Sequence, residues 1–143
     1  MDSTKITRPA RKLLNLKLKR CGAVIVAAGS ASRMGGIDKV MAPIGGEPMI
    51  QRTVRNFQDC DAISEIVVVT RPDLIDRVKS LCNGFSKVTA VVEGGADRPE
   101  SVRKGLDALS SKTRLVAVQD GARPLVTCAV IDRAVRAAHT YGA

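Results

Sequence analysis

The sequence predicts a doubly wound α/β fold built on a mostly parallel sheet, and three observations carry that prediction. Apolar runs of strand length recur along the chain, and each is followed by a segment with helical spacing. Three of the runs lead into loops containing glycine. A chain of 143 residues has room for one domain with a real core and none for two.

The elements follow in order. Residues 23–29 (AVIVAAG) are a short apolar run closed by glycine, the pattern of a strand buried on both faces. A glycine-rich loop leads into 48–58, where Ile50, Val54 and Phe57 fall at helical spacing. Residues 65–70 (EIVVVT) are a second strand, ended by Arg71 and Pro72. The spacing of Leu74, Val78 and Leu81 predicts a helix over 73–82, with Asn83–Gly84 as its stop. Residues 88–95 are a third strand. A helix over 99–109 opens with Pro99 in the first turn, where its missing N–H costs nothing, and aligns Val102, Leu106 and Leu109 on one face. Residues 115–121 are a fourth strand, and 128–139 a fourth helix capped by Thr127. Sheets of this kind bind ligands at the carboxyl ends of their strands, where strand order reverses. The loops after Ala28, Val92 and Gln119 are therefore the expected site.

Composition narrows the functional classes. Trp is absent and the aromatic side chains are Phe57, Phe85 and Tyr141, so the core must be aliphatic. Nucleic-acid binding by base stacking lacks its platforms. Of the net charge of +9, the first 20 residues hold +6, from seven basic residues against Asp2, which leaves +3 for the rest. A mildly basic body suits an anionic small molecule. Cys21, Cys60, Cys82 and Cys128 form no metal-binding spacing, and His139 is the sole histidine, so the cysteines read as reduced structural residues. No run approaches the ~18 apolar residues of a membrane span. The expectation is a soluble, cytoplasmic protein with neither a membrane nor a nucleic-acid partner.

Residues 1–20 are basic and poor in acid, with a leucine cluster at Leu13, Leu14, Leu16 and Leu18 but no apolar core of a secretory signal. They read as a disordered basic extension, with a plastid transit segment as the alternative. The folded body is expected over 21–143.

Three loops carry the chemistry. In the first, AAGSASRMGGIDK (27–39), small residues after a strand let backbone N–H groups approach a phosphate chain. It is neither a P-loop nor a dinucleotide fingerprint. Arg33 and Lys39 stand just beyond the turn, and fixed cations beside a phosphate cradle are what phosphoryl or nucleotidyl transfer requires. Two solvated surface cations are the bland alternative. The string resembles the signature loop of nucleotidyltransferases that activate sugars and sugar alcohols, shared by cytidylyltransferases, sugar-1-phosphate uridylyltransferases and molybdenum-cofactor guanylyltransferases.

The second loop, VVEGGADRPESVRKGL (91–106), is similar to the G-G-x-[ED]-R-x-x-S-V segment of the 2-C-methyl-D-erythritol 4-phosphate cytidylyltransferase family of isoprenoid synthesis. Gly94 and Gly95 would let backbone meet a flat base, while Arg98 and Ser101 supply a charge and a hydroxyl near a helix start. Ordinary helix-start chemistry is the competing reading. The third loop, QDGARP (119–124), resembles the family's D-A-A-R-P motif. An Asp at a strand's carboxyl end is well placed to hold Mg²⁺ against nucleotide phosphates, and a turn-forming Asp before Gly121 is the alternative.

The resemblance implies a Rossmann-like nucleotidyltransferase fold that transfers CMP from CTP to a sugar-alcohol phosphate and releases pyrophosphate. It implies that Arg33 and Lys39 stabilise the transition state. Ala27, Ala28, Gly29, Gly94, Gly95, Arg98, Ser101, Gly121 and Arg123 would hold or support CTP, and Asp120 would hold Mg²⁺. It departs from the family at Asp38–Lys39–Val40, where Pro–Lys–Gln is usual, and at Gln119 and Gly121, where His and Ala are usual. The first departure leans toward uridylyl- or guanylyltransferases. The resemblance covers 22–143, the nucleotide half of the family domain. The fold is thus expected to be incomplete at its carboxyl end, with a homodimer in the full-length form, and an inactive nucleotide-binding fragment is the third reading.

Overall fold

The computed structural model describes residues 20–29 and 38–142. The basic extension expected before Arg20, and Arg33 with its neighbours 30–37, lie outside the described residues.

Four strands form a parallel sheet: β1 (Cys21–Ala27), β4 (Glu65–Thr70), β5 (Val88–Glu93) and β6 (Leu115–Asp120), in the order β5-β4-β1-β6. A small antiparallel hairpin, β2 (Pro43–Ile44) with β3 (Glu47–Pro48), was not foreseen. It turns on Gly45 and Gly46, whose φ values of 57° and 85° are the left-handed pair a tight hairpin needs. The helices are α1 (Met49–Gln58), α2 (Ile75–Leu81), α3 (Arg98–Ala108) and α4 (Cys128–Tyr141). α2 is shorter than its spacing predicts because a 3-10 turn, Pro72–Leu74, takes its first residues.

Helices cover both faces, as doubly wound topology requires. On one face α1, α2 and α4 bury Ile50, Val54, Phe57, Val78, Ile131 and Val135 against Ile25, Ile66 and Val68. On the other, α3 packs over Val24, Val67 and Val69, with Leu109 at its end. The core is aliphatic, as expected, apart from Phe57 and the thiols of Cys21, Cys60 and Cys82.

Two expectations fail in detail. Only β1 and β4 are buried as the apolar runs imply, whereas β5 and β6 are half-exposed edge strands. α3 lies over β1, β4 and β5, so Val116 and Val118 of β6 stay 41% and 42% exposed, and Leu106 of α3 is itself 40% exposed. Nor does α3 meet the sheet through a Val102–Leu106 face. Its buried residues are Ser101 and Gly105, and a Cβ on Gly105 would stand 2.4 Å from Val24 Cγ1 and 2.9 Å from Val69 Cγ2. Glycine brings helix and sheet backbones together there, and the larger side chains are turned aside.

At the amino ends of the strands, buried Glu65 ties the α3–β6 connection to β4. Its carboxylate accepts from the Ser110 N–H at 3.0 Å and from the Thr113 hydroxyl. That clasp leaves the opposite, carboxyl end of the sheet free to carry the site.

Candidate active site

The chain turns back between β1 and β6: β4 and β5 are laid down on one side of β1, and β6 on the other. At their carboxyl ends lies a cleft of about 730 Å³. It is floored by the end of β1 and the residues after it, Ala27, Ala28 and Gly29. Asp38 and Lys39 flank it, Gly95, Arg98 and Ser101 line a second wall, and Asp120 and Arg123 a third. The three loops singled out by sequence therefore converge.

The second wall is built on the start of α3. Asp97 caps the helix, accepting from the Glu100 N–H at 2.9 Å, while Glu100 reaches back to the Ala96 N–H at 2.8 Å. The first bond satisfies an N–H that the first turn would leave unpaired, and the second fixes the residue that precedes the cap. The D-R-P-E spacing signals this arrangement, and sequence reasoning passed over it. Buried Ser101 accepts at Oγ from the Gly95 N–H at 3.0 Å, so this hydroxyl shapes the loop and also lines the cleft. Gly94 is not among the lining residues. A Cβ there would fall 2.3 Å from Ala28 Cβ, so it is the point where the first and second loops touch. Gly121 is likewise buried behind the cleft, where a Cβ would meet Ile50 Cδ1 at 2.7 Å and Ala27 Cβ at 2.9 Å.

Asp120 is held by two guanidinium groups. Arg98 Nη2 lies 2.9 Å from its Oδ1 and Arg123 Nε 3.1 Å from its Oδ2. Both arginines are well exposed, at 59% and 77% of their side chains, and Asp120 is about a third exposed. Exposed pairs of this kind are weak. Among the described residues no cluster of three or more His, Cys, Asp or Glu side chains is placed to enclose a metal ion.

Sequence reasoning also missed Arg71, the first residue after β4. Its guanidinium grips Asp73 at 3.1 Å and reaches Asp38 at 2.7 Å. The hydrogen bond from Arg71 holds the Asp73 carboxyl below the usual carboxylate range, and the same bond raises the guanidinium above its ordinary value. Its position at a strand's carboxyl end was the available signal.

Comparison with known proteins agrees with this fold. The sequence profile of the 2-C-methyl-D-erythritol 4-phosphate cytidylyltransferase family matches residues 21–143. A cytidylyltransferase of that name from Symbiobacterium thermophilum is 42% identical over 121 residues, which cover 84% of this chain and 50% of the relative. One from Dehalococcoides mccartyi is 40% identical over 126 residues, 87% of this chain and 55% of the relative. The crystal structure of 4-diphosphocytidyl-2C-methyl-D-erythritol synthase from Anaerococcus prevotii superposes with a TM-score of 0.74 at 27% identity, covering 85% of this chain and 51% of that one. The chain thus spans about half the length of the relatives it matches. With the profile running from the first residue of β1 to the end of the chain, this protein belongs to the 2-C-methyl-D-erythritol 4-phosphate cytidylyltransferase family.

Proposed function

We propose that the cleft is the nucleotide site of a cytidylyltransferase that transfers CMP from CTP to 2-C-methyl-D-erythritol 4-phosphate and releases pyrophosphate. The observation that carries the reading is the convergence of Lys39, Arg98, Asp120 and Arg123 on one cleft at the β1–β6 switch point.

In this reading a phosphate oxygen of the acceptor attacks the α-phosphorus of CTP in line. The new P–O bond forms as the bond to the β-phosphate bridging oxygen breaks, and the electron pair leaves with pyrophosphate. Negative charge spread over the equatorial oxygens is what Lys39 would neutralise, together with Arg33. Backbone after β1, from Ala28 and Gly29, and the Gly95 strip beside Ser101 would hold the nucleotide, with Gly94 and Gly121 keeping the loops close enough to do so. Arg98 and Arg123 would pass from Asp120 to phosphate oxygens.

Mg²⁺ belongs to the same proposal. A single carboxylate fits an ion shared with a nucleotide, because Mg²⁺ takes one or two carboxylates and completes its shell with phosphate oxygens and water. It does not fit an ion held by protein alone. When bound, the ion would be held by Asp120 and would neutralise charge on the phosphates. A reducing, cytoplasmic setting fits the four free cysteines, and no helix among the described residues is long and apolar enough to cross a membrane. Homodimerisation of a full-length form is carried over from the resemblance.

The test is pyrophosphate release by the 143-residue chain with CTP, Mg²⁺ and methylerythritol 4-phosphate, beside calorimetric binding of CTP. Release that requires CTP and falls severely, though measurably, in Lys39→Ala supports the reading. Asp38–Lys39–Val40 favours a second reading, transfer from UTP or GTP, and activity with either of those nucleotides but not CTP would replace the first. Binding of CTP without turnover would make the chain a nucleotide-binding fragment.

A further inference from the structure

We infer that Arg71 is a positioning residue: through its ion pair with Asp38 it fixes the backbone that presents Lys39 to the cleft. The inference rests on the proposed transfer reaction for the role it gives Lys39, and on geometry alone for the clamp.

Arg71 leaves the sheet at the carboxyl end of β4 and does not itself line the cleft. Its Nε and Nη2 each lie 3.1 Å from an oxygen of Asp73, two residues on. That fork orients the guanidinium before it reaches across the fold. Nη2 then stands 2.7 Å from Asp38 Oδ2, 33 residues earlier in the chain. An exposed ion pair holding two floppy side chains contributes little. This one differs, because its side chains are only 22% and 23% exposed and one partner is already anchored.

Asp38 immediately precedes Lys39 and opens the 3-10 turn Lys39–Met41, accepting from the Met41 N–H at 3.1 Å. Its carboxylate makes no capping bond to that turn and goes to Arg71 instead. Lys39 is exposed at the cleft wall, so its place there depends on the backbone at Asp38. That backbone has φ −77°, within the range a proline ring imposes. The ion pair therefore holds by charge an angle that a ring would hold covalently.

This equivalence supplies the experiment. Arg71→Gln, Asp38→Asn, Asp38→Pro and the double variant Asp38→Pro/Arg71→Gln are compared in the full chain. The first readout is native-state tryptic cleavage of the Lys39–Val40 bond, relative to cleavage elsewhere, followed by mass spectrometry. Arg71→Gln and Asp38→Asn should each raise it about tenfold, and the double variant should return to within about twofold of wild type. The second readout is transfer. Arg71→Gln should lower kcat about tenfold with KM for the nucleotide within about twofold, and should add nothing in a Lys39→Ala background. Unchanged cleavage in Arg71→Gln, or failure of proline to restore protection, overturns the clamp. Additive losses with Lys39→Ala overturn the positioning role. A wild-type chain that shows the cleavage pattern but no transfer upholds the clamp and removes the transfer reading.

Discussion

The fully buried Thr53 hydroxyl donates to the Gly121 carbonyl at 2.8 Å, which ties the middle of α1 to the residue immediately after Asp120. Two further contacts repeat it along the same helix and its exit. Asn56 Nδ2 donates to the Pro124 carbonyl at 2.8 Å, and Cys60 Sγ lies 3.7 Å from the Cys128 carbonyl. Each spans 68 residues of sequence, so α1 runs as a rail beside the loop that carries Asp120 and Arg123.

Replacing Thr53 with Val keeps the shape and removes the donor, leaving a buried carbonyl unpaired. The expected cost is about 1–3 kcal/mol of stability, read by urea denaturation. Thr53→Ser should retain most of it. Nucleotide affinity should fall in the Val variant even where the protein is fully folded, because the Asp120 turn loses one of its ties to α1. Equal affinity in both variants would show that the turn keeps its geometry without the Thr53 bond.

Gly105 makes a second prediction. A methyl group there would drive into Val24 and Val69 from the helix side. Gly105→Ala should destabilise the chain by about 1–3 kcal/mol, the usual consequence of overpacking, despite the better helix propensity of Ala. Thermal denaturation against wild type checks the sign. Stabilisation would mean that α3 can move off the sheet at little cost.

Gly105 also marks where the sequence stopped being legible. Strand runs and helical periods reveal which segments form elements, because periodicity is written locally, and all four βα units stand where that spacing puts them. The loops that meet at the cleft were legible for a related reason, since strand ends in a parallel sheet face one way. What was not written locally is which neighbour each face meets. Leu106 looks like a core residue by spacing, yet it is 40% exposed because Gly105 and Ser101 take the contact. Arg71 and Thr53 owe their roles to partners 33 and 68 residues away, and no local pattern announces such partners.

Glu65 carries the third prediction. Its buried carboxylate receives the Ser110 N–H and the Thr113 hydroxyl, and no basic side chain among the described residues pairs with it. Glu65→Ala should strand those donors and cost about 1.5–3 kcal/mol, measured by chemical denaturation. The cleft is at the other end of the strands, so nucleotide affinity of the folded variant should stay close to wild type. A loss of affinity would reveal coupling along the sheet.

The buried thiols set the fourth. Burial pushes Cys60 up to about 12 and Cys82 up to about 11, from an ordinary value of 9.0. A thiol raised in the folded state contributes stability that is fully present below the unfolded value. That stability is lost as pH rises toward the folded value, because the unfolded chain ionises first. Denaturation midpoints should hold up to about pH 8 and fall above about pH 9. Cys82→Ala should show a shallower alkaline fall than wild type, whatever its effect at neutral pH. Parallel curves would mean that Cys82 ionises as easily folded as unfolded.

The pairing of β1 with β6 joins Cys21 to Leu115 across most of the chain, and the cleft opens between the ends of these two strands. On a ribosome, β1 and β4 emerge early, and one whole edge of β1 must then wait unpaired while β5 and α3 are made. Contacts of such long reach form slowly, since loop-closure entropy is lost before they return anything. The cleft comes into being with the arrival of β6, so a ligand cannot template the earlier steps. Bound there, it would act as a brake on unfolding by holding that seam shut.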